Sequence, residues 1–551
     1  MRRASQAPRR PVRARLGRGG IARTANPGRT VDIPTGSPQG GARTHVGDLV
    51  ADAARVAPDH AAIIDVTSAI TLTWAEVDGA VSAEAARLSG AGVVPGERVL
   101  VRLGNGAAFC VAVLGALRAG AVVVPFGPVG VVRELEFVLD DCRPVLVVAA
   151  EGDESTERCA AASGAAVLPP PDLAARAPGP ATDRGAGGEE IALLIYTSGT
   201  TGRPRGVRLS HRAVLANRAQ TAALRPAPVL PADRVLLSLP LFHVFGLAAG
   251  FLQACWAAAT VVITERFDPS HVAEVLVQQR VSGLAGVPSM FRAMLELPAD
   301  ELRAATAGLR LCTSGGAPLP PQWLEDFRAA TGLAIYEGYG LTEGGPVITT
   351  NAADGPPKPG SVGRALPGVE LRLVDVEGRP IDAVADPDPE DIDEDVSDPA
   401  HDTGLVAVRG ANLFSGYWPD GSGGPDAEGW FRTADVGFLD ADGDLHLVDR
   451  SSDLVIVNGF NVYPREVEQV LAELPGVAEA AVVGVPDERT GEAVKAVLVR
   501  AEDADLSEEE VRAHCEERLA RFKVPAVVEF ADALPRTPTG KVARRQLVNP
   551  S

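Results

Sequence analysis

The feature that most constrains the fold is a repeated alternation of short β-branched segments with longer helix-like segments. Apolar runs such as 98–102 and 191–196 are separated by stretches with helical character such as 107–119 and 321–331. Strands that alternate with helices form parallel sheets whose faces the helices cover. The chain is therefore expected to be α/β, with a large N-terminal body of parallel-type sheets and flanking helices.

The pattern changes twice toward the C-terminus. After residue 360, short alternating strands at 370–374, 404–409 and 445–448 indicate a smaller β-rich subdomain. Beyond residue 453, apolar residues with helical spacing in 464–474, a capping box formed by Ser507 and Glu510 that opens a helix to Phe522, and strands at 480–485 and 492–500 indicate a small α+β domain. We expect a core over 45–449, a hinge over 450–453 and a C-terminal domain over 454–551.

Charge separates two segments from these units. Residues 1–44 contain ten arginines and one acidic residue, Asp32, without an apolar face, which predicts a disordered Arg-rich tail. Residues 382–402 contain ten acidic residues and no lysine or arginine, which predicts a solvated acidic loop. The whole chain carries a net charge of −20, which disfavours nucleic acid as a partner.

Residues 235–264 contain no Asp, Glu, Lys or Arg, so a membrane span has to be considered. Pro240, His243 and Gln253 interrupt the segment, and we expect instead a buried helix near 248–258 and a strand that ends at Ile263. No transmembrane segment is therefore expected. The six cysteines lie far apart without a CxxC pair, which is typical of reduced, buried thiols in a cytoplasmic protein.

A glycine- and hydroxyl-rich segment, 196–206 (YTSGTTGRPRG), directly follows an apolar strand. Glycines let the backbone approach a ligand, and hydroxyl and N–H groups can surround phosphate oxygens. The spacing is not that of a Walker A loop. A flexible polar turn is the alternative, but four hydroxyls, three glycines and two arginines in eleven residues favour a phosphate-binding loop.

Seven further motifs follow this loop: 239–246 (LPLFHVFG), 313–318 (TSGGAP), 336–343 (YEGYGLTE), 429–435 (GWFRTAD), 449–450 (DR), 458–464 (NGFNVYP) and 535–541 (PRTPTGK). In this order they resemble the adenylate-forming superfamily, in particular its acyl-CoA synthetase and fatty acid–CoA ligase branch. The resemblance covers roughly residues 46–548. It implies that the C-terminal domain is a mobile lid on the AMP-binding core.

The resemblance implies a phosphate site and a metal site. Residues 197–206 would hold the β- and γ-phosphates of ATP, Thr342 would contact the α-phosphate, and Glu343 would help to hold Mg²⁺. The loop residues assigned to ATP are Thr197, Ser198, Gly199, Thr200, Thr201, Gly202 and Arg205. Thr200 and Glu343 are the expected metal ligands.

The same resemblance assigns the nucleoside and acyl sites. Residues Gly315, Gly316, Ala317, Pro318, Glu337, Gly338 and Tyr339 would form the adenine site. Asp435 and Arg450 would bind the ribose, although the two could instead form a structural ion pair. His243 would border the acyl pocket, together with 247–252, 287–292 and 314–317, and Arg292 leaves a dicarboxylic acid open.

Two residues of the C-terminal domain complete the implied site. Lys541, one of only four lysines in the chain, would bridge the carboxylate and the α-phosphate during adenylation. Gly459 would lie beside the pantetheine of coenzyme A. A lysine that is retained in so arginine-rich a sequence is an additional reason to expect a role for Lys541.

Three positions depart from the family pattern. Arg205 stands where the family usually has lysine, and it keeps the charge. Ala434 replaces a glycine, which would strain the backbone if its φ were positive. Ser452 lies at the expected hinge, where relatives carry aspartate or lysine.

The expected enzyme is an acid–thiol ligase. It would convert a small carboxylic acid, expected to be a fatty acid, and ATP into acyl-AMP and pyrophosphate, and then form acyl-CoA and AMP. A stand-alone acyl-AMP ligase that loads an acyl carrier protein is the alternative. A nucleotide-binding scaffold without turnover is disfavoured because Lys541, Glu343 and Asp435 are present.

Overall fold

The computed structural model of the protein describes residues 43–128, 132–177, 187–198, 204–352, 355–381, 403–450, 453–457, 460–487, 489–501, 504–537 and 542–548. The Arg-rich segment up to residue 42, the whole acidic loop 382–402 and Ser452 of the expected hinge lie outside the described residues.

The elements are given in chain order. The first part contains α1 (Leu49–Val56), β1 (Ala61–Asp65), β2 (Ile70–Thr73), α2 (Trp74–Gly90), β3 (Arg98–Arg102), α3 (Ala107–Arg118), β4 (Val122–Pro125), α4 (Val132–Cys142), β5 (Leu146–Ala149), α5 (Glu154–Ser163), β6 (Ala166–Leu168), β7 (Ile191–Ser198), β8 (Pro204–Ser210) and α6 (His211–Ala222). The second part contains β9 (Arg234–Leu237), a π-helix (Phe245–Leu252), α7 (Gln253–Ala257), β10 (Thr260–Ile263), α8 (Pro269–Gln278), β11 (Gly283–Gly286), α9 (Pro288–Met294), α10 (Ala299–Thr306), β12 (Leu311–Ser314), α11 (Pro321–Thr331), β13 (Ile335–Gly340), β14 (Val347–Thr350) and β15 (Arg364–Ala365).

Four strands follow, β16 (Val369–Val374), β17 (Gly404–Gly410), β18 (Trp430–Leu439) and β19 (Leu445–Arg450). The last part contains β20 (Val455–Val457), β21 (Phe460–Val462), α12 (Pro464–Ala472), β22 (Val477–Asp487), β23 (Gly491–Arg500), α13 (Glu508–Glu516), β24 (Val527–Phe530) and α14 (Arg545–Val548).

Two mainly parallel sheets form the N-terminal body. One has the strand order β6-β5-β3-β4-β7-β8, and the other has the order β15-β14-β13-β12-β11-β9-β10-β1-β2. In the second sheet, the strands β13, β12, β11, β9, β10 and β1 pair in parallel, whereas β14 and β15 at one end and β2 at the other end are antiparallel. This is the parallel α/β architecture that the alternation of strands and helices predicts.

Successive side chains of a strand point to opposite faces of its sheet. In both sheets the residues on the two faces are buried, in different core clusters. In β3, Val99 and Val101 enter the core cluster shared by the two sheets, whereas Leu100 enters a separate cluster with α4 and α5. In β10, Val261 joins the shared cluster and Val262 joins a cluster with α8 to α11. The body therefore has helices between the sheets and on both outer sides.

Helix α3 occupies the layer between the sheets. Almost all of its residues are buried and its sequence, AAFCVAVLGALR, is apolar on every side. A helix without a polar face is stable only where protein surrounds it. This explains why the segment shows no amphipathic pattern.

The expected β-rich subdomain is an antiparallel sheet in the order β16-β17-β18-β19. The C-terminal domain has a sheet in which β20, β22 and β24 all pair with β23, with α12 and α13 packed on one face. The large body and the small α+β domain thus agree with the predicted fold class, while the boundaries expected at 449 and 454 stay a prediction.

Two local expectations change. The Ser507–Glu510 capping box is present, but α13 ends at Glu516 and not at Phe522. The chain turns there, and Leu519 and Phe522 pack against the domain core. The helix expected near 248–258 begins earlier, as a π-helix from Phe245, and the strand after it ends at Ile263 as predicted.

The expectation about a membrane span concerns residues 235–264. In the described parts of the chain, no helix is both long and apolar enough to cross a membrane.

Candidate functional site

The parallel strands β11, β12 and β13 end side by side, and the loops that follow them form the centre of the candidate site. Ser314 at the end of β12 is in register with Glu337 on β13. The next residue, Gly315, donates its N–H to the Gly286 carbonyl at the end of β11 (3.2 Å). Ligands of open α/β sheets bind at such carboxyl ends. The structure therefore brings together the predicted adenine residues 315–318 with 337–339.

Side chains are disfavoured at two glycines of this loop, for separate reasons. Gly316 has a φ of +82°, a left-handed conformation that side chains disfavour. A Cβ atom on Gly315 would lie 3.3 Å from the Phe245 ring. Beside the loop, the buried Ser314 hydroxyl has no hydrogen-bond partner among the described residues. A buried polar group and an open backbone suit a polar planar ligand.

Glu337 is a buried carboxyl beside the same loop. Its side chain accepts a hydrogen bond from the Leu319 N–H (3.1 Å), and its residue is only 5% exposed. Burial raises the pKa of Glu337 to about 7, whereas the Leu319 N–H and the charge of Arg465 act in the opposite direction. Arg465 lies on α12 of the C-terminal domain and donates to the Leu447 carbonyl on β19 (2.7 Å). Glu337 is therefore within electrostatic reach of both parts of the molecule.

Asp435 and Tyr339 meet two residues further along β13. The Tyr339 hydroxyl donates to Asp435 Oδ2 (2.5 Å), and both residues are buried. Asp435 on β18 is the cross-strand partner of Arg450 on β19, so the backbone register brings the two predicted ribose residues opposite each other. Ala434 lies inside the extended strand β18, so its methyl group does not meet a left-handed backbone.

Thr342 and Glu343 follow β13 directly in a short 3-10 turn, Thr342–Gly344. Glu343 Oε1 accepts a hydrogen bond from the Tyr417 hydroxyl (2.7 Å), and the Glu343 carbonyl accepts from the Phe414 N–H (2.9 Å). Burial raises the pKa of Tyr417 well above its usual range, and the charge of Glu343 raises it further. The hydroxyl therefore stays protonated and donates.

The Tyr417 ring also contacts Arg205, whose guanidinium carbon lies 3.5 Å from the ring centroid. Sequence reasoning did not select Tyr417. Its signal was weak, since it is one of five tyrosines in a chain with 5% aromatic residues and stands in a glycine-rich segment.

The phosphate-loop motif forms a hairpin. Thr197 on β7 pairs with Arg205 on β8, and Ser198 pairs with Pro204. The described strands thus bracket the predicted loop and fix where it begins and ends. The predicted residues Gly199, Thr200, Thr201, Gly202, Gly459 and Lys541 lie outside the described residues.

A cavity beside the 315–318 loop is the candidate acyl site. It is lined by Leu239, Pro240, His243, Phe245, Gly246, Val287 and Gly316. His243 Nδ1 accepts a hydrogen bond from the Phe245 N–H (3.2 Å), which fixes how the ring is oriented at this wall. The shared residue Gly316 makes the cavity contiguous with the predicted adenine loop.

Two groups of residues expected at the acyl site do not line this cavity. Leu247, Ala248, Phe251 and Leu252 belong to the main hydrophobic core and are fully buried. Arg292 is exposed and is not part of the cavity lining. Val287 and Gly316 are the members of the expected ranges that line it.

The residues present fit a nucleotide with a divalent cation. Carboxylate oxygen is the ligand that Mg²⁺ prefers, and Tyr417 uses only Oε1 of Glu343. The Gly316 backbone, the Tyr339 ring and the Asp435 carboxylate suit a base and a sugar. Thr342 and Glu343 would hold the phosphates and the cation.

Comparison with known proteins agrees with this geometry. The AMP-binding enzyme family model matches residues 50–418, and the AMP-binding enzyme C-terminal domain model matches 466–541. The chain is 35% identical to a feruloyl-CoA synthase of Amycolatopsis sp. over 479 residues, which cover 86% of this chain and 93% of that relative. It is 33% identical to the long-chain-fatty-acid–CoA ligase FadD13 of Mycobacterium tuberculosis over 519 residues, 91% of this chain and 98% of the relative.

Among solved structures, ATP-bound MatB from Rhodopseudomonas palustris superposes with a TM-score of 0.81 at 32% identity, covering 91% of this chain and 98% of that structure. Both family models are thus matched in one chain, and the fold is shared with a solved ATP-bound relative. The chain belongs to the AMP-binding enzyme family, as an acid–thiol ligase of its ATP-dependent acyl-CoA synthetase group.

Proposed function

We propose that the protein activates an apolar carboxylic acid, most simply a fatty acid, as its adenylate and transfers the acyl group to coenzyme A. The observation that carries this proposal is the continuity between the apolar cavity and the nucleotide residues. Gly316 belongs to both, and His243 faces the same space. An acid bound there would present its carboxylate to the α-phosphate of a nucleotide held by 315–318, Tyr339 and Asp435.

The first step brings two anions together, so the site has to offset their charge and hold them in line. A carboxylate oxygen attacks the α-phosphorus, and the bond from that phosphorus to pyrophosphate breaks. In this proposal Thr342 donates to the α-phosphate, Arg205 and Thr197 hold the outer phosphates, and Lys541 would bridge the two reacting groups. Bound through Glu343 and Thr200, Mg²⁺ would supply the remaining positive charge.

In the second step the thiol of coenzyme A attacks the acyl carbon, and AMP leaves with the bonding electrons. Gly459 is proposed to lie along the pantetheine, where a side chain would obstruct the channel. If Lys541 serves the first step and Gly459 the second, the C-terminal domain has to present different residues in turn, as a mobile lid would.

The composition of the cavity supports the choice of acid. Leu239, Pro240, Phe245 and Val287 offer carbon atoms, and His243 is the polar side chain among the lining residues. Apolar walls with few polar groups select an apolar chain or ring. A second carboxylate would meet no lysine or arginine among the described residues that line this cavity.

The test is acid-dependent pyrophosphate release with Mg-ATP. The panel contains short, medium and long fatty acids, aryl acids, malonate and amino acids, each with and without coenzyme A. We expect turnover with an apolar acid that requires coenzyme A for sustained rates and yields a thioester. Lys541→Ala should lower this rate by about 10²–10³-fold, the usual loss for one donor to a charged transition state.

Lys358→Ala is the matched control. Lys358 forms ion pairs with Asp440 and Asp442 at the turn between β18 and β19, so its loss should leave turnover unchanged. Acyl-adenylate formation that ignores coenzyme A would favour the carrier-loading ligase instead. Bound ATP without turnover for any acid would refute both enzymes.

A further inference from the structure

The segment that carries Tyr417 is built into the phosphate end of the site. Trp418 donates its N–H to the Gly206 carbonyl (2.8 Å), and Ser415 donates to the Arg208 carbonyl (2.8 Å). These bonds lay the segment along β8, the strand that leaves the phosphate loop. The Phe414 N–H reaches the Glu343 carbonyl on the other side. One short segment thus joins the loop to the predicted metal ligand.

Tyr417 contacts a carboxylate with its hydroxyl and a guanidinium with its ring. Its hydroxyl holds Glu343 Oε1 at 2.7 Å, and its ring face holds the Arg205 guanidinium at 3.5 Å. Gly423, with a φ of +67°, permits this arrangement, because a Cβ atom there would lie 3.1 Å from the Tyr417 ring and 3.5 Å from Arg205 Nη2. The stacked arrangement therefore depends on an unobstructed position next to it.

We propose that Tyr417 is a positioning residue that orients Glu343 for the metal ion and Arg205 for the outer phosphates of the nucleotide. The proposal rests on the proposed function and deepens it. A carboxylate that binds a metal is usually fixed by a hydrogen bond to its other oxygen, and loss of that partner weakens metal affinity about 10–100-fold.

The proposal also explains why arginine stands at position 205. A planar guanidinium stacks on an aromatic ring, whereas an ammonium is compact and more strongly hydrated. Arg205 is otherwise solvent-exposed, and an exposed, freely rotating side chain would lose entropy when it binds phosphate. Stacking on Tyr417 restricts the Arg205 side chain before phosphate binds.

The experiment measures metal binding directly as well as turnover. Mn²⁺ binding is followed by electron paramagnetic resonance in the presence of α,β-methylene-ATP, and Mg²⁺ dependence is followed by pyrophosphate release. Tyr417→Phe keeps the ring and removes the hydroxyl. We expect it to weaken Mn²⁺ binding and to raise the half-saturating Mg²⁺ concentration by about tenfold or more, with the KM for the acid unchanged.

Arg205→Lys tests the ring independently. It should raise the KM for ATP several-fold without changing the Mg²⁺ requirement, and its effect should largely disappear in a Tyr417→Leu background, where the stacking partner is already gone. Lys358→Ala is the control, because Lys358 pairs with Asp440 and Asp442 and not with Glu343. That variant should keep the wild-type Mg²⁺ requirement.

The outcomes separate this proposal from the proposed function. Wild-type protein that releases no pyrophosphate with any acid contradicts the function itself. Active wild-type protein together with unchanged Mn²⁺ binding in Tyr417→Phe overturns the role of Tyr417. Equal losses of metal, acid and nucleotide binding, with a lowered Tm, would show a structural role only and would also overturn it.

Discussion

Three carboxyl groups of the candidate site differ in their partners, and the partners determine what each can do. Glu343 accepts from the Tyr417 hydroxyl, and Asp435 accepts from the Tyr339 hydroxyl. Glu337 accepts from a backbone N–H and is buried among the strands that hold the 315–318 loop. Burial raises the pKa of Glu337 to about 7, which makes this carboxyl sensitive to pH in the physiological range.

Replacement of Glu337 by Gln should change how stability depends on pH. Because burial raises its pKa from 4.5 to about 7, the folded protein binds more protons than the unfolded chain in that interval. Stability is therefore lost as the pH rises from 4.5 through 7. Glu337→Gln stays neutral, so it should be more stable than wild type at pH 8 by up to about 3 kcal/mol, and by less at pH 5.

Thermal unfolding at the two pH values checks this prediction. Glu325→Gln, on the exposed part of α11, is the control, and its Tm difference from wild type should not depend on pH. Equal Tm differences for Glu337→Gln at pH 5 and pH 8 would mean that Glu337 does not change its protonation on unfolding.

The sequence motifs predicted which single residues come together in the candidate site, as for Tyr339 and Asp435, whereas the roles of these residues stay predictions. The rarity of lysine was a weaker guide. Lys358, Lys495 and Lys523 all form ion pairs with carboxylates, so a retained lysine in this chain is commonly structural. Tyr417 could not be found, since its two contacts join segments that are more than 70 residues apart along the chain.

At the scale of single elements, α5 shows how one carboxylate can begin a helix and fix a neighbouring strand. Asp153 accepts from the Thr156 N–H and from the Ser155 and Thr156 hydroxyls, and it pairs with Arg102 of β3. Burial opposes ionisation, but these hydrogen bonds and the Arg102 charge outweigh it and hold the pKa of Asp153 below its usual range.

Two substitutions separate the roles of Asp153. Asp153→Asn keeps a capping side chain and removes the charge, and we expect a loss of about 1–3 kcal/mol. Asp153→Ala also removes the cap, which adds about 1 kcal/mol. Hydrogen exchange of the α5 amides measures both losses. The cost of Asp153→Asn should shrink below pH 4, because the stabilising charge is lost as the pH falls toward the lowered pKa.

If the loss of stability in Asp153→Asn did not depend on pH, the charge of Asp153 would not stabilise the protein. If Asp153→Asn and Asp153→Ala lost the same stability, the Asp153 side chain would not act as a helix cap. The same measurement on α11 in both variants serves as the internal reference, because that helix lies in a different outer layer.

Elements were predictable where burial imposes a simple pattern. The bounds of α11 and β3 follow from periodicity, because their apolar residues meet a continuous core. The strands β13 and β8 were missed. The sequence of β13, IYEGYG, has a buried glutamate on one face and two glycines on the other, so it lacks the apolar alternation that indicates a strand.

For the whole molecule, six cysteines are distributed through both parts of the chain, and all are buried free thiols. Burial raises the pKa of Cys142 and Cys312 to about 12 and that of Cys515 to about 11. The thiolate is the reactive form, so these thiols combine low access with low ionisation.

The folded protein should therefore react slowly with DTNB at pH 8, whereas six thiols should react at once in guanidinium chloride. The time course of absorbance gives the reaction rate of the folded protein and the number of thiols that react in the unfolded protein. Addition of ATP should leave the reaction rate of the folded protein unchanged if the cysteines lie away from segments that move when ATP binds. If one thiol of the folded protein reacted at the rate of free cysteine, the part of the fold around that cysteine would open locally. Mass spectrometry would identify the cysteine and therefore the helices or strands that open.

The cavity wall has a consequence for how this enzyme could be altered. A Cβ atom on Gly246 would lie 2.4 Å from the Pro240 carbonyl oxygen, and one on Gly315 would meet the Phe245 ring. The main chain therefore offers little freedom, while Phe245 and Val287 are side chains that can be shortened. Directed evolution toward bulkier acids should accumulate changes at these two positions and leave the glycines untouched, so that substrate range can diversify on a constant nucleotide-binding frame.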